Sequence, residues 1–209
     1  MSKLAYSLQD FQVVEKHIRK RIGKYTHAFH GDVGDLLHLD ICVVDPTPKR
    51  NYITLVTQGM GAYKMNVKSD ETRLFNRIEL LMMLPPTWKI DDPKPEWQWP
   101  AQLLADLSVY PMQHDTWFDD NFTMSFNENF GNTGFSSIMI GLPIPFGRKS
   151  FGGCLFRYGE GVMFYQVLPL YKEELDKILN GKYNQFKQAA FSELYSPLNI
   201  ERKNFGLLI

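Results

Sequence analysis

The sequence of 209 residues predicts an α+β domain, and three observations carry that class. Over residues 37–44, Leu37, Leu39, Ile41 and Val43 alternate with His38, Asp40, Cys42 and Val44, the period of a strand with one buried face. Residues 52–57, from Tyr52 to Thr57, form a second run rich in β-branched and aromatic side chains. Phe11, Val14, Ile18 and Ile22 recur at spacings of three and four, an apolar stripe along a helix. The first two runs read as long paired strands at the centre of a sheet. Between them Pro46 and Pro48 cannot donate backbone N–H groups and so stop the ladder. Gly59 and Gly61 close the second run, where they permit a bulge or a turn with positive φ.

The remaining elements follow in order. Ser7 with Asp10 reads as a variant capping box opening the first helix, which Gly23 ends. Residues 25–34, with His27, His30, Gly31, Asp32 and Gly34, read as a turn-rich lead-in. Residues 63–67 suggest a short strand, and Ser69 or Asp70 introduces residues 75–84, an apolar run taken as a strand because Pro85 and Pro86 end it. Residues 85–100 hold five prolines with Trp88, Trp97 and Trp99, a stiff connector under which the indoles pack. Pro100 is placed at the first position of a second helix carrying Leu103, Leu104, Leu107 and Tyr110, with Pro111 as its stop. Residues 113–120 are a polar loop; 122–126 and 136–142 read as strands, and 142–153 as another loop. Gly159 and Gly161 mark a hairpin between residues 154–158 and 162–168. A third helix follows Pro169 and is capped by Asn180-Gly181; a fourth spans 183–194, and apolar residues 205–209 dock on the body.

Composition narrows the function. With 44% hydrophobic residues, 15 Phe, 10 Tyr and 4 Trp, the chain is globular and can bury a large core. Its 23 basic residues balance 23 acidic ones. The dense basic run at 16–21 interleaves with the apolar stripe of the first helix, so it reads as that helix's wet face and not as a nucleic-acid surface. Cys42 and Cys154 lie in apolar strand-like runs, which predicts buried free thiols and supplies no zinc motif. No stretch reaches the roughly 18 apolar residues of a membrane span, and the first residues lack a signal core, so a cytoplasmic location is expected. The glycine pairs lack the context of a phosphate cradle and read as turns.

The motifs resemble those of suppressor-of-fused-like domains. The resemblance rests on His38-Leu39-Asp40-Ile41, Pro46-Thr47-Pro48 and the run from Tyr52 through Gln58-Gly59-Met60. It continues through Glu79-Leu80, Leu84-Pro85-Pro86-Thr87-Trp88, Trp99-Pro100, Leu104, Leu107 and Tyr110-Pro111. Asp115-Thr116-Trp117 and the block from Phe164 to Leu175 complete it, so the matching blocks lie in order across residues 36–181. The resemblance implies one domain over 1–209 with a central, mostly antiparallel sheet flanked by helices and a helical C-terminal part over 170–209. Two-domain animal members bind and restrain zinc-finger transcription factors of Hedgehog signalling. Bacterial members are single domains, many of them resembling immunity proteins that neutralise toxins. The chain matches only the N-terminal domain, which favours the bacterial reading. No enzymatic activity or cofactor is implied.

By motif alignment, Tyr110 and Asp120 correspond to partner-binding positions, an aromatic anchor and an acidic group that steers a basic partner. A thin acidic patch of Asp115, Asp119, Asp120 and Glu128 would suit a partner that binds nucleic acid. The competing class is an enzyme. His38 and Asp40 share one strand face, and His114, Asp115 and Glu79 could complete a metal or acid–base cluster. The plainer reading of the same five residues is structural hydrogen bonding that pins loops to the sheet.

Overall fold

The Ser7 hydroxyl accepts the Asp10 amide hydrogen and caps α1 (Leu8–Arg21), whose Val14 and Ile18 are fully buried. This computed structural model describes residues 3–67, 76–146 and 152–209. Ser69, Asp70 and Phe75, which the sequence placed at the entry to a strand, lie outside the described residues, as does part of the predicted loop at 142–153.

Eight strands form one sheet: β1 (Tyr25–Val33), β2 (Leu37–Val44), β3 (Ile53–Gln58), β4 (Arg77–Leu84), β5 (Thr123–Ser125), β6 (Phe135–Gly141), β7 (Gly153–Leu155) and β8 (Gly161–Tyr171). Their order is β1-β2-β3-β4-β8-β6-β5, with β7 also on β8. Of these pairings β4 with β8 is parallel and the others are antiparallel. A parallel pair needs a long crossover, and the chain between β4 and β8 supplies α2 (Pro95–His114) and β5 to β7. The predicted mostly antiparallel α+β sheet is what forms.

Helices cover both faces. Leu37, Leu39, Ile41 and Val43 join Leu103, Leu104 and Leu107 of α2 in the largest core cluster. On the opposite face Val44, Val56, Leu81 and Phe164 pack with Val14 and Ile18 of α1. Further along β8 on that same face, Leu168 and Leu170 meet Phe186, Ala190 and Leu194 of α4 (Tyr183–Leu194). Between β8 and α4 lies α3 (Lys172–Lys177). Phe205 and Ile209 close the chain against this cluster. Both cysteines are buried free thiols.

Four local expectations change. Residues 25–34 are mostly strand, and Gly31 pairs with Leu39 within it. β1 lies at the sheet edge and buries none of its residues fully, so the apolar alternation that marks a strand is missing. Residues 63–67 form no strand; Met65 N–H is held by the Asn76 carbonyl at 2.8 Å. α2 begins at Pro95, five residues before Pro100, and continues past Pro111 to His114. A proline in a helix removes its own N–H and crowds the carbonyl one turn back, a cost offset here by the apolar face of Trp99, Leu103, Leu104 and Leu107, which holds the helix across both. The indoles pack as expected. Trp88 meets Trp97 edge-on at 5.1 Å and donates Nε1–H to its carbonyl at 2.9 Å. Trp99 lies on Gly131, where φ is +51° and a Cβ would sit 2.6 Å from Trp99 Cδ1, so only glycine fits.

Candidate functional site

Three polar groupings bear on function. The first is a checkerboard at the β1–β2 hairpin. Antiparallel register sets His30 opposite Asp40 and Asp32 opposite His38, so each imidazole faces a carboxylate across the strands. His30 Nδ1 donates to Asp40 Oδ1, and His38 Nδ1 donates to Asp32 Oδ1 at 2.9 Å. The two rings stand edge-to-face with centroids 4.6 Å apart. Lys3 pairs with Asp32 as well, and its hydrogen bond, helped by that of His38, holds the Asp32 carboxyl below its ordinary value. One potential ligand atom each from His30, His38 and Asp40 lies within 4.8 Å of the others. Because Leu37 and Leu39 point toward α2, this grouping lies on the other face of the sheet.

The second grouping surrounds Glu79 on β4, which is fully buried. Its carboxylate accepts from Tyr6 OH and Thr57 OH, both at 2.6 Å, and from the amides of Gly59 at 3.0 Å and Gly61 at 3.2 Å. Burial pushes the carboxyl up to about 7, against the pull of those hydrogen bonds. Gly59 is required here: with φ of +141°, a Cβ would sit 2.5 Å from the His38 carbonyl. Glu79 therefore ties the segment before α1, the end of β3 and β4 into one node.

The third grouping is the end of α2 and the loop after it. Tyr110 is half-buried, packs on the tilted ring of His114 at 4.1 Å and stacks on Phe118 at 5.9 Å. Asp115 takes the left-handed conformation (φ 46°) as the helix cap and accepts from Asn66 Nδ2 at 3.3 Å. Two residues beyond Phe118, Asp120 acts on Tyr165 of β8, whose phenol is pushed up to about 12, first by burial and then by Asp120 and Asp119. Tyr110 packs on the buried Phe118, and Asp120 follows two residues later, acting on Tyr165; these aromatic side chains make up the shelf at the end of α2.

The five residues weighed as a metal or acid–base cluster do not converge. His38 and Asp40 lie together, but on the sheet face away from α2, which carries His114 and ends at Asp115. Glu79 spends its oxygens on the node around Tyr6, Thr57 and the two glycine amides. His30 and Asp32 were overlooked. Their signal was present: His30-x-Asp32 mirrors His38-x-Asp40 across the hairpin turn, a pattern invisible while residues 25–34 read as a loop. Also overlooked was the buried pair of Glu174 and Arg202, with Nη1 to Oε1 at 2.5 Å and Nη2 to Oε2 at 2.7 Å. Burial pushes both cysteine thiols up, Cys154 to about 12, so neither presents a thiolate near neutral pH.

Comparison with known proteins places this geometry. A suppressor-of-fused homolog from Neisseria gonorrhoeae superposes with a TM-score of 0.67 at 18% identity, covering 93% of this chain and 96% of that one. The crystal structure of the Sufu–Fu complex gives 0.62 at 14% identity, with 94% and 93% coverage. Drosophila Suppressor of Fused gives 0.64 at 14% identity over 95% of this chain, which spans 52% of that protein. No curated protein matches in sequence. No helix among the described residues is long and apolar enough to cross a membrane. Residues 35–203 match the family described as suppressor of fused protein (SUFU), a span that contains the whole stretch 36–181 where the motif blocks succeed one another, and on that match the chain belongs to the suppressor of fused family.

Proposed function

We propose that this chain is a non-enzymatic protein-binding domain of the immunity type, which neutralises a toxin in the cytoplasm by occupying it in a fixed ratio. The observation that carries the protein-binding reading is family membership, taken with a structural relative that was crystallised in complex with Fu. The immunity reading is supported by a bacterial relative whose whole length this fold nearly covers. The binding surface proposed is the shelf at the end of α2. Tyr110 supplies an amphipathic anchor backed by Phe118, and Asp115, Asp119 and Asp120 supply an acidic rim. A partner with an apolar centre and basic surroundings suits that surface, as a nucleic-acid-cleaving toxin would. The zero net charge gives no support to nucleic acid itself as the ligand.

The test is recovery of the partner by pull-down from the source cells, followed by co-expression of the two in a sensitive host. Protection that Tyr110→Ala or Asp120→Lys weakens supports the reading. A partner that remains toxic in the presence of the folded chain contradicts the immunity role. Binding unchanged in both variants moves the surface elsewhere.

A further inference from the structure

We propose that His30, His38 and Asp40 form a site for a divalent cation of the zinc class, which ties edge strand β1 to β2. Asp40 is the buried member of the three. Its side chain is only 13% exposed and its one described partner is His30, through a single hydrogen bond. His30 gives that carboxylate a single N–H, whereas a carboxylate withdrawn from water calls for several partners. Asp32, diagonally across the checkerboard, is differently placed, since Lys3 and His38 both engage it. The hairpin therefore holds one carboxylate with two described partners and one, more buried, with a single partner.

Two imidazoles and a carboxylate are the donor set of zinc and its neighbours. Tetrahedral zinc, with bonds of about 2.0–2.1 Å, needs donors roughly 3.4 Å apart. The three donors here span at most 4.8 Å, and His30, 68% exposed, can rotate to close the difference. Asp32 holds Nδ1 of His38, as an outer carboxylate does when it orients a ligating imidazole. His30 and Asp40 sit directly opposite in the ladder, and His38 lies two residues before Asp40 on β2, diagonal to His30, so strand pairing already positions all three. Ligands from both strands make the ion a cross-link. A fourth position stays open for water or a partner's side chain.

This proposal does not rest on the protein-binding reading, and its test is separate. The full chain, stripped with a chelator, is titrated with zinc by calorimetry and with Co2+ by visible absorption. The expected result is one equivalent bound, ligand-field bands of four-coordinate Co2+, and a melting temperature raised by about 5 °C at a hundredfold excess over Kd. His30→Ala and Asp40→Asn should each abolish these signals, and Asp32→Asn should weaken binding by about 10–100-fold. His30 is exposed enough that its replacement leaves the fold intact, so it decides the matter if Asp40→Asn does not fold. No binding up to millimolar zinc, or binding unchanged in His30→Ala, overturns the proposal. Ion loss with partner protection retained would leave the protein-binding reading untouched.

Discussion

Glu79 and Glu174 are both fully buried carboxylates, and they are satisfied in opposite ways. Glu79 receives hydroxyl and amide donors from Tyr6, Thr57, Gly59 and Gly61, all of them neutral. Glu174 receives the Arg202 guanidinium on both oxygens, together with the amides of Tyr171 and Phe205 at 3.0 Å. Arg202 also packs against two touching rings, 4.8 Å from the Phe135 ring centroid and 5.0 Å from that of Tyr171. Neutral donors supply hydrogen bonds without charge, so desolvation dominates at Glu79 and carries it up to about 7. A guanidinium supplies both, in a bidentate fork suited to the carboxylate. The node that ties β3 to β4 is therefore a titrating one, while the lock on the C-terminal segment is an ion pair.

This contrast can be broken at either end. The largest effect is expected from Arg202→Ala, which strands a buried charge on Glu174 and should cost about 3–5 kcal/mol in denaturant unfolding. Replacing Arg202 and Glu174 together by apolar residues should recover much of that loss. The next effect is in pH. Because the folded Glu79 carboxyl is raised from 4.5 to about 7, the native state holds its proton more tightly than the unfolded chain. Its contribution is complete below 4.5 and is lost as pH rises through about 7, a change of about 3 kcal/mol. Unfolding curves of the wild type and Glu79→Gln across that range should therefore diverge in slope, with the variant nearly flat. Tyr6→Phe removes one donor and should cost about 1–2 kcal/mol while pushing Glu79 further up. Least costly to stability are changes at the shelf: Tyr110→Ala should weaken partner binding at least about tenfold, and Asp120→Lys should slow association with a basic partner.

The sheet was legible wherever burial imposed a period. β2, β3 and the β7–β8 hairpin follow from alternating or β-branched runs closed by glycine, and α1 follows from one apolar stripe. β1 was missed because an edge strand has one wet side and little apolar patterning, and α2 was started late because prolines were read as boundaries. The site was less legible for a related reason. Its groupings are made by register and by contacts far apart in sequence, such as Tyr6 with Glu79 and Glu174 with Arg202, which no local spacing encodes. His38 and Asp40 were visible as a pair. Their true companions became visible only once β1 was paired to β2.

If this domain acts as proposed, by occupying a toxin, a titration shows it directly. A fixed amount of the recovered toxin is mixed with increasing amounts of the chain, and residual toxin activity is measured alongside the heat of binding. Activity that falls linearly and vanishes at an equimolar ratio, with one binding site by calorimetry, is the predicted result. Inactivation by a small fraction of an equivalent, increasing with incubation time, would mean turnover and would contradict the account.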